Sequence, residues 1–247
     1  MNRITKIAMV MLSAMTLFSS CNKNEDTNPV FWSSYPNVLV TVKTAPTGEC
    51  YLQLDDKTTL LPVNMKSSPY KSDVRALAHV VEVDEDGKPY SKAVKVNWID
   101  SLLTKPAVVS EGALDVQKYG FDPVEIRDNW ITVVEDGYLT VSFDAYFGNK
   151  GVVHYINLVT GVDPDDPYVV ELRHNAMGDV EWGYRRSSIA AFDISSLPDT
   201  EGKTVKLTVK YRGFNNEKAI VFDYCSGKSV NADTKVPSGL EFRLPVK

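Results

Sequence analysis

The sequence predicts an all-β protein with two domains, a five-stranded OB-like barrel followed by an antiparallel β-sandwich. Apolar and polar residues alternate with a period of two along most of the chain, which is the pattern of half-buried strands. Turn residues separate these segments at short intervals, and signals for helices are few. We expect the barrel to occupy residues 35–106, a linker or short helical turn to occupy residues 107–123, and the sandwich to occupy residues 124–247.

Five short alternating segments predict the barrel. In the first of them, valine stands at every second position from Val38 to Val42. Glycine and proline mark turns at residues 44–48 and 84–89, as expected where the chain reverses. The predicted strands are residues 38–43, 50–55, 58–63, 75–83 and 94–103. Short strands spaced so closely, with few helix signals between them, are typical of a small OB-type barrel.

A hairpin signal opens the second domain. Asp136-Gly137 separates residues 130–134 from residues 138–147, and an Asp-Gly pair between two alternating segments is the strongest short-range sign of a β-hairpin. In the second segment the apolar residues occupy one face, and the other face carries Tyr138, Thr140, Ser142 and Asp144. Further strands are predicted at residues 152–159, 168–174, 188–192, 205–211, 219–224 and 240–244. Eight or so strands with turns between them indicate a β-sandwich.

Residues 1–20 have the layout of a secretory signal peptide. Arg3 and Lys6 form a positive region, residues 7–18 are largely apolar, and two small serines precede Cys21. The apolar stretch is shorter than the roughly 20 residues that a helix needs to span a bilayer. We therefore expect this segment to direct export and to be removed.

The stretch Leu-Phe-Ser-Ser-Cys that ends at Cys21 resembles a bacterial lipobox, in which the cysteine is lipidated and becomes the mature N-terminus. Ordinary signal cleavage beside an incidental cysteine is the alternative. Two or more acyl chains anchor a protein firmly in a membrane, because each CH₂ buried in the bilayer contributes about 0.8 kcal/mol to binding. The polar residues 21–34 are expected to form a flexible tether, and Glu25 and Asp26 loosely resemble a sorting signal for the cell surface. We therefore expect a cell-envelope protein, an outer-membrane lipoprotein on the periplasmic or cell-surface face.

The charge balance argues against nucleic acid as a partner. The 247-residue chain has a net charge of −5, and removal of Arg3 and Lys6 with the signal segment leaves −7. Nucleic-acid binding requires clustered lysines and arginines, and the sequence contains no such cluster.

Two further cysteines, Cys50 and Cys225, lie in opposite halves of the chain. In an exported protein they could form a disulfide. Both lie in alternating, strand-like segments, where an unpaired cysteine behaves as a small apolar residue. We expect two buried free thiols.

Several short motifs resemble the NigD-like family of lipoproteins. In the first half they are residues 40–43 (Val-Thr-Val-Lys), 51–56 (Tyr-Leu-Gln-Leu-Asp-Asp), 59–64 (Thr-Leu-Leu-Pro-Val-Asn) and 94–106. In the second half they are residues 128–130 (Asp-Asn-Trp), 138–141 (Tyr-Leu-Thr-Val), 154–158 (His-Tyr-Ile-Asn-Leu) and 171–175 (Glu-Leu-Arg-His-Asn). The resemblance extends over essentially the whole mature chain and implies an OB-like domain followed by a β-sandwich. It also implies a role in bacteriocin immunity, inferred for the family from gene neighbourhood, and provides no catalytic or binding residues to carry over.

The sequence contains no recognised catalytic or metal-binding motif. His79, His154 and His174 lie in three different predicted strands, whereas a metal site needs ligands close together. We interpret them as hydrogen-bonded histidines at a sheet face or strand end. The carboxylates of residues 163–167 are stiffened by two prolines and lack EF-hand spacing, so we interpret them as a solvated turn. We expect no catalytic residue, no cofactor and no metal ion, and a protein that is not an enzyme.

One stretch has the composition of an interaction surface. Trp182, Tyr184 and Arg185 are close in sequence, and these residue types dominate protein–protein hot spots. The alternative is a strand end whose aromatic residues pack on the sandwich. The sequence favours a membrane-anchored lipoprotein that binds a protein toxin, and leaves a carbohydrate-binding accessory lipoprotein and a hydrolase as the other two hypotheses.

Overall fold

The computed structural model describes residues 35–55, 57–148, 151–179 and 183–226. Within these ranges the chain is almost entirely β-structure, arranged as a barrel followed by a two-sheet sandwich, which confirms the predicted fold class. The predicted strand at residues 240–244, together with Cys21 and Trp182, lies outside the described residues. None of the described helices is both long enough and apolar enough to cross a membrane.

The barrel closes from five strands in the order β1-β2-β3-β5-β4. Their bounds are β1 Val38–Thr44, β2 Cys50–Gln53, β3 Thr59–Pro62, β4 Val74–Glu82 and β5 Lys92–Ser101. Neighbouring strands are antiparallel except β3 and β5, which run parallel. Alternate residues of each strand point inward and fill the barrel with small and branched side chains.

The second domain contains ten strands and one short helix among the described residues. The strands are β6 Leu103–Pro106, β7 Val108–Val109, β8 Glu125–Ile126, β9 Val133–Glu135, β10 Tyr138–Phe147, β11 Tyr155–Thr160, β12 Val169–Asn175, β13 Tyr184–Asp193, β14 Val205–Arg212 and β15 Glu217–Tyr224. A 3-10 turn at Gly112–Leu114 leads into the helix α1 Asp115–Tyr119. The predicted hairpin at Asp136-Gly137 joins β9 to β10 and is confirmed.

These strands form two sheets. The barrel-facing sheet has the order β6-β13-β10-β8, with β9 also paired to β10, and the distal sheet has the order β15-β14-β12-β11-β7. The inward faces of both sheets share one apolar core, in which Phe143, Phe192 and Leu207 are fully buried. Three pairs run parallel, β6 with β13, β7 with β11 and β12 with β14. Those pairs join segments distant in sequence, so the hairpin signals that predicted an antiparallel sandwich do not reveal them.

The first strands of the sandwich lie where the sequence predicted the end of the barrel and a linker. β6 pairs with β13 over four residues, and β7 pairs with β11 over two. β7 has only two residues, and β6 reads Leu-Thr-Lys-Pro, so neither shows an alternation that a periodicity argument could detect. The chain therefore enters the sandwich almost directly from β5.

A small apolar cluster joins the two domains. It contains Leu39 and Leu77 from the outside of the barrel and Ile131 and Val133 from the segment before the hairpin. Partly buried Trp98, Trp130 and Ile189 pack around it. Because Leu39 and Leu77 point away from the barrel core, β1 and β4 are apolar on both faces where the sandwich covers them.

A buried ion pair lies beside this cluster. Arg75 on β4 is fully buried, and its Nη2 donates to Oε2 of Glu135 on β9 at 3.0 Å. Its Nε donates to Thr140 Oγ1 at 3.4 Å, and its Nη1 donates to Thr41 Oγ1 at 3.2 Å. Burial lowers the pKa of the Arg75 guanidinium, and it raises the pKa of the Glu135 carboxyl against the opposing effect of Arg75. Both directions mean that removal from water costs this pair heavily, which offsets much of the attraction between its two charges.

Candidate functional site

The outward face of the barrel-facing sheet carries the candidate binding surface. Successive residues of a strand point to opposite faces, so Asp144 and Tyr146 on β10 point away from the core that is filled by the alternate residues of that strand. On β13, Ser187 lies opposite Asp144 and Arg185 lies opposite Tyr146. Two neighbouring strands therefore place an acid, a hydroxyl, an arginine and a tyrosine side by side. With Arg127 and Phe214, we call this group the arginine–aromatic surface.

Asp144 holds two arginines in place. Its side chain is only 7% exposed, and its Oδ2 accepts hydrogen bonds from Nε and Nη2 of Arg185 at 3.0 and 2.6 Å. Its Oδ1 accepts from Ser187 Oγ at 2.6 Å and lies 3.5 Å from Nη1 of Arg127. Arg127 Nη1 in turn donates to Ser187 Oγ at 2.6 Å. One carboxylate thus orients two guanidinium groups, which leaves the cluster with one net positive charge.

Aromatic rings support the same group from the side. The Arg185 guanidinium carbon lies 5.3 Å from the ring centroid of Phe214, a distance typical of a cation–π contact. The rings of Tyr146 and Phe214 are tilted at 46° with centroids 4.7 Å apart. The side chains of Arg185 and Arg127 are nevertheless 54% and 44% exposed. The two guanidinium groups are held on one side and open to solvent on the other.

A second arginine cluster, on the distal sheet, is built differently. The guanidinium carbons of Arg173 and Arg212 each lie 5.4 Å from the ring centroid of Phe121. Arg173 donates to the backbone oxygen of Gly120 at 3.2 Å, and Arg212 donates to that of Phe121 at 2.9 Å. These bonds attach the segment after α1 to the sheet, so this cluster has a structural role.

Three polar side chains form a buried chain at one end of the sandwich. His154 Nδ1 lies 2.9 Å from His174 Nε2, and His154 Nε2 lies 3.1 Å from Asp179 Oδ2. His174 Nδ1 lies 3.3 Å from the backbone oxygen of Pro123, and a carbonyl can only accept, so this nitrogen carries the proton. Burial and the neighbouring His154 lower the pKa of His174 to about 4, so at neutral pH its Nε2 is an acceptor. His154 Nδ1 must therefore donate to it.

The same chain closes the connection between β10 and β11. Asp179 Oδ2 also accepts from the backbone N–H of Gly148 at 2.8 Å, and the ring of Phe147 stacks on His154 with centroids 4.0 Å apart. His154 and His174 are 0% and 2% exposed. Among the residues that the structure describes, no group of three or more His, Cys, Asp or Glu side chains could hold a metal ion. The three side chains are closed off from solvent and make internal contacts.

The structure separates the residues that the sequence placed in one patch. Tyr184, at the start of β13, is 77% exposed, but it lies on the opposite face of the strand from Arg185 because neighbours alternate. Trp182 lies outside the described residues. Arg185 instead meets Asp144, Arg127 and other residues that sequence reasoning did not select.

One sequence signal could have found part of this surface. Asp144 interrupts the outward row of β10, which otherwise carries tyrosine, serine and threonine, and a carboxylate in a paired strand needs a partner. Arg127 and Phe214 come from segments far away in sequence, so no local pattern links them to Arg185.

The histidines and cysteines can also be placed. His154 and His174, predicted in separate strands, meet because β11 and β12 pair with Ile156 opposite His174. The interpretation of both as hydrogen-bonded histidines is confirmed. His79 lies on the barrel, 2.9 Å from Asn97 Nδ2 through its Nδ1. Cys50 and Cys225 are both buried free thiols, as expected.

Two family models match the chain. The model of the NigD-like N-terminal OB domain matches residues 39–102, and the model of the NigD-like C-terminal beta sandwich domain matches residues 106–224. The first covers the barrel, and the second begins at the end of β6 and runs to the end of β15. No curated protein matches the chain.

Solved structures of similar proteins come from species of Parabacteroides and Bacteroides. A protein from Parabacteroides distasonis, provisionally named as toxin-related, is 36% identical, with a TM-score of 0.64, over 76% of this chain and 92% of its own. A NigD-like immunity protein from Bacteroides caccae is 21% identical, with a TM-score of 0.54, over 76% of this chain and 96% of its own. A protein from Bacteroides fragilis, provisionally named as a lipoprotein, is 15% identical, with a TM-score of 0.50, over 75% and 95%. The last two likenesses concern the fold alone.

Proposed function

We propose that this chain, which belongs to the NigD-like family, is an exported, membrane-anchored lipoprotein. In this proposal it binds a protein toxin or bacteriocin at the cell envelope and so protects the cell. The toxin-related and immunity names of its structural relatives support a binding role. The lipoprotein name of a third relative supports the envelope location. No catalysis is part of this function.

The observation that carries the proposal is the arginine–aromatic surface. Arginine and tyrosine are enriched in the few residues that dominate protein–protein binding energy. Here Arg185 and Tyr146 stand opposite each other on two long paired strands, so their positions are set by the sheet. Arg127 directly follows the short strand β8, which pairs with β10. A surface that is already ordered loses little conformational entropy when a partner binds.

The buried polar groups support binding over catalysis. A catalytic acid or base must come within hydrogen-bond distance of its substrate. The His174–His154–Asp179 chain is enclosed by the sandwich, and the Arg75–Glu135 pair is enclosed between the domains. Among the described residues, these buried charged and titratable groups therefore contact other groups of the protein.

The test of the proposed function is a gene deletion, challenged with culture supernatants from competing strains. Deletion is expected to increase sensitivity to at least one toxin, and expression of the intact gene is expected to restore resistance. A complementing gene with Arg185→Glu should fail to restore it, whereas one with Arg186→Glu should succeed, because Arg186 lies on the opposite face of β13. Unchanged sensitivity of the deletion strain to every supernatant would contradict immunity.

The anchor is tested separately. Cys21→Ala removes the proposed lipidation site, and the protein is expected to move from the membrane fraction to the soluble fraction. Cys50→Ala is the matched control, because this thiol is buried in the barrel and should not affect fractionation. A Cys21→Ala protein that stays fully membrane-bound would disprove the lipidation proposal.

A carbohydrate-binding accessory lipoprotein is the second candidate, supported by one feature of the barrel. Tyr51 and Tyr90 stack at 24° with ring centroids 5.3 Å apart, and the Tyr90 hydroxyl donates to Glu49 Oε2 at 3.0 Å. Glu49 also lines a depression of about 480 Å³ beside Gly48 and Met65. OB barrels bind oligosaccharides through comparable faces, although a shared fold is only an analogy. A glycan array on which neither the protein nor its Tyr90→Ala variant binds any glycan would exclude this candidate.

A further inference from the structure

The arginine–aromatic surface leaves hydrogen-bond donors unused. A guanidinium has five N–H donors in a fixed fork. Arg185 commits Nε and Nη2 to Asp144, and Arg127 commits Nη1 to Ser187 and Asp144. Among the described residues, Arg185 Nη1 and Arg127 Nη2 have no acceptor, and both side chains are about half exposed.

The local charge is opposite to that of the whole protein. One carboxylate between two guanidinium groups leaves one positive charge on this surface. The chain as a whole carries −5. An isolated positive region on an acidic protein concentrates anionic groups at that place and repels them elsewhere.

Both guanidinium groups already have protein partners before any ligand binds. Asp144 holds two nitrogens of Arg185, and Phe214 lies against its plane. Ser187 holds Arg127 through a hydroxyl that itself donates to Asp144. A rigid arginine fork matches the two oxygens of a carboxylate. On the inner side, Nε and Nη2 of Arg185 both donate to one oxygen, Oδ2 of Asp144.

We infer that the arginine–aromatic surface binds carboxylate groups, and that its natural occupant is an acidic segment of a protein partner. The identity of the partner as a toxin rests on the proposed function. The carboxylate chemistry rests only on the geometry of Arg127, Asp144 and Arg185. Tyr146 and Phe214 supply an apolar margin on which the partner's side chains can pack.

The direct test is a titration of the purified full chain, labelled with ¹⁵N-arginine, with hexaglutamate. The Nε–Hε signals of Arg127 and Arg185 are expected to shift saturably, and the affinity is expected to fall as salt rises. Hexalysine should cause no shift, and inorganic phosphate should bind more weakly than hexaglutamate. Unmoved Arg127 and Arg185 signals would overturn the inference, and tighter binding of phosphate would overturn the choice of carboxylate.

The matched variants are Arg185→Gln and Arg186→Gln. Both remove one positive charge at adjacent positions of β13, but only Arg185 belongs to the surface. Arg185→Gln is expected to weaken hexaglutamate binding roughly tenfold, since a charged hydrogen-bonded pair is lost. Arg186→Gln should change it by less than about twofold. Equal losses in the two variants would mean diffuse attraction by charge and would contradict a built site.

Asp144→Asn separates orientation from charge. It adds one net positive charge, so simple attraction predicts tighter binding of an acidic peptide. Because Asp144 holds both arginines, the inference predicts weaker binding. Ser187→Ala is the milder companion, because it removes only the hydroxyl that joins Arg127 to Asp144, and it keeps the test valid if Asp144→Asn does not fold. Tighter binding in folded Asp144→Asn, or unchanged binding in Ser187→Ala, would contradict the inference.

These outcomes are independent of the immunity test. If the protein binds hexaglutamate through Arg127 and Arg185 but confers no toxin resistance, the carboxylate site is supported and the proposed function is contradicted. If toxin resistance survives Arg185→Glu, the immunity function is supported and the toxin binds to a different surface of the protein.

Discussion

Two arginine–carboxylate pairs lie on the same face of the barrel-facing sheet, one covered and one open. Arg75 meets Glu135 at 3.0 Å under the barrel, with side chains that are 0% and 8% exposed. Arg185 meets Asp144 at 2.6 Å beyond the barrel's edge, with an arginine that is 54% exposed. Their chemistry is the same. What differs is the burial of the arginine, and this decides which pair joins the domains and which pair can contact a binding partner.

The comparison shows how burial changes the meaning of an ion pair. A buried pair gains little over a well-packed apolar pair, but removal of one partner leaves an uncompensated charge. A pair whose arginine stays half exposed contributes less to stability, and the unused donors of that arginine remain available. We therefore expect changes at Arg75–Glu135 to affect folding and changes at Arg185–Asp144 to affect binding.

The largest expected effect is the loss of Glu135. Glu135→Ala leaves the buried Arg75 charge unpaired, so the free energy of unfolding should fall by about 3–5 kcal/mol, measured by urea denaturation. Arg75→Met combined with Glu135→Leu replaces the pair by apolar side chains and should cost less than Glu135→Ala alone. A single variant that loses less than about 1 kcal/mol would show that the covered pair is no more structural than the open one.

A change of pH is expected to have the next largest effect, through His174. Its pKa is about 4 in the folded chain, against about 6.5 when unfolded. The unfolded chain therefore binds more protons between pH 6.5 and pH 4, and stability should decline across that window by up to about 3 kcal/mol as the pH falls. His154 opposes protonation of His174 and Asp122 favours it, so both contribute to the measured slope.

Thermal unfolding between pH 4 and pH 7 measures this contribution. His174→Gln should flatten the slope, whereas His79→Gln, on the barrel, should leave most of it. A His174→Gln protein with the full slope of the parent would assign the effect to other groups. The result would also show whether burial governs a polar cluster outside the domain interface.

The smallest expected effect on stability is at the open pair. Arg185→Gln should lower the free energy of unfolding by less than about 1 kcal/mol, in the same urea measurement as Glu135→Ala. Combined with a tenfold loss of hexaglutamate binding, this would separate a binding role from a folding role. A stability loss close to that of Glu135→Ala would place Arg185 among the structural residues.

Much of the barrel could be predicted from the sequence because its strands alternate clearly. The five predicted strands correspond to β1 to β5, with differences of a few residues at their ends. The short strands β6 to β8 could not be predicted, since β7 and β8 have only two residues each and β6, Leu-Thr-Lys-Pro, does not alternate between apolar and polar residues. The apolar outward residues Leu39 and Leu77 break the alternation because the sandwich covers them.

The candidate site was less predictable than the fold. Arg185 could be selected by residue type, but its partners come from β10, from the start of the sandwich and from the loop before β15. The contact between His154 and His174 was equally hard to predict, since the two residues meet only through the pairing of β11 with β12. Residues that come together from different strands have no characteristic spacing in the sequence.

By itself, the sequence determined the fold class, the two-domain order and the Asp-Gly hairpin, because alternation and turn chemistry act between residues that are near in the chain. It also predicts export and lipidation at Cys21 from an adjacent segment. Only the tertiary structure decided which arginine is covered and which is open, and it did so through contacts between distant strands. Register and domain packing bring Asp144, Arg127 and Arg185 together, with the carboxylate buried and both arginines about half exposed.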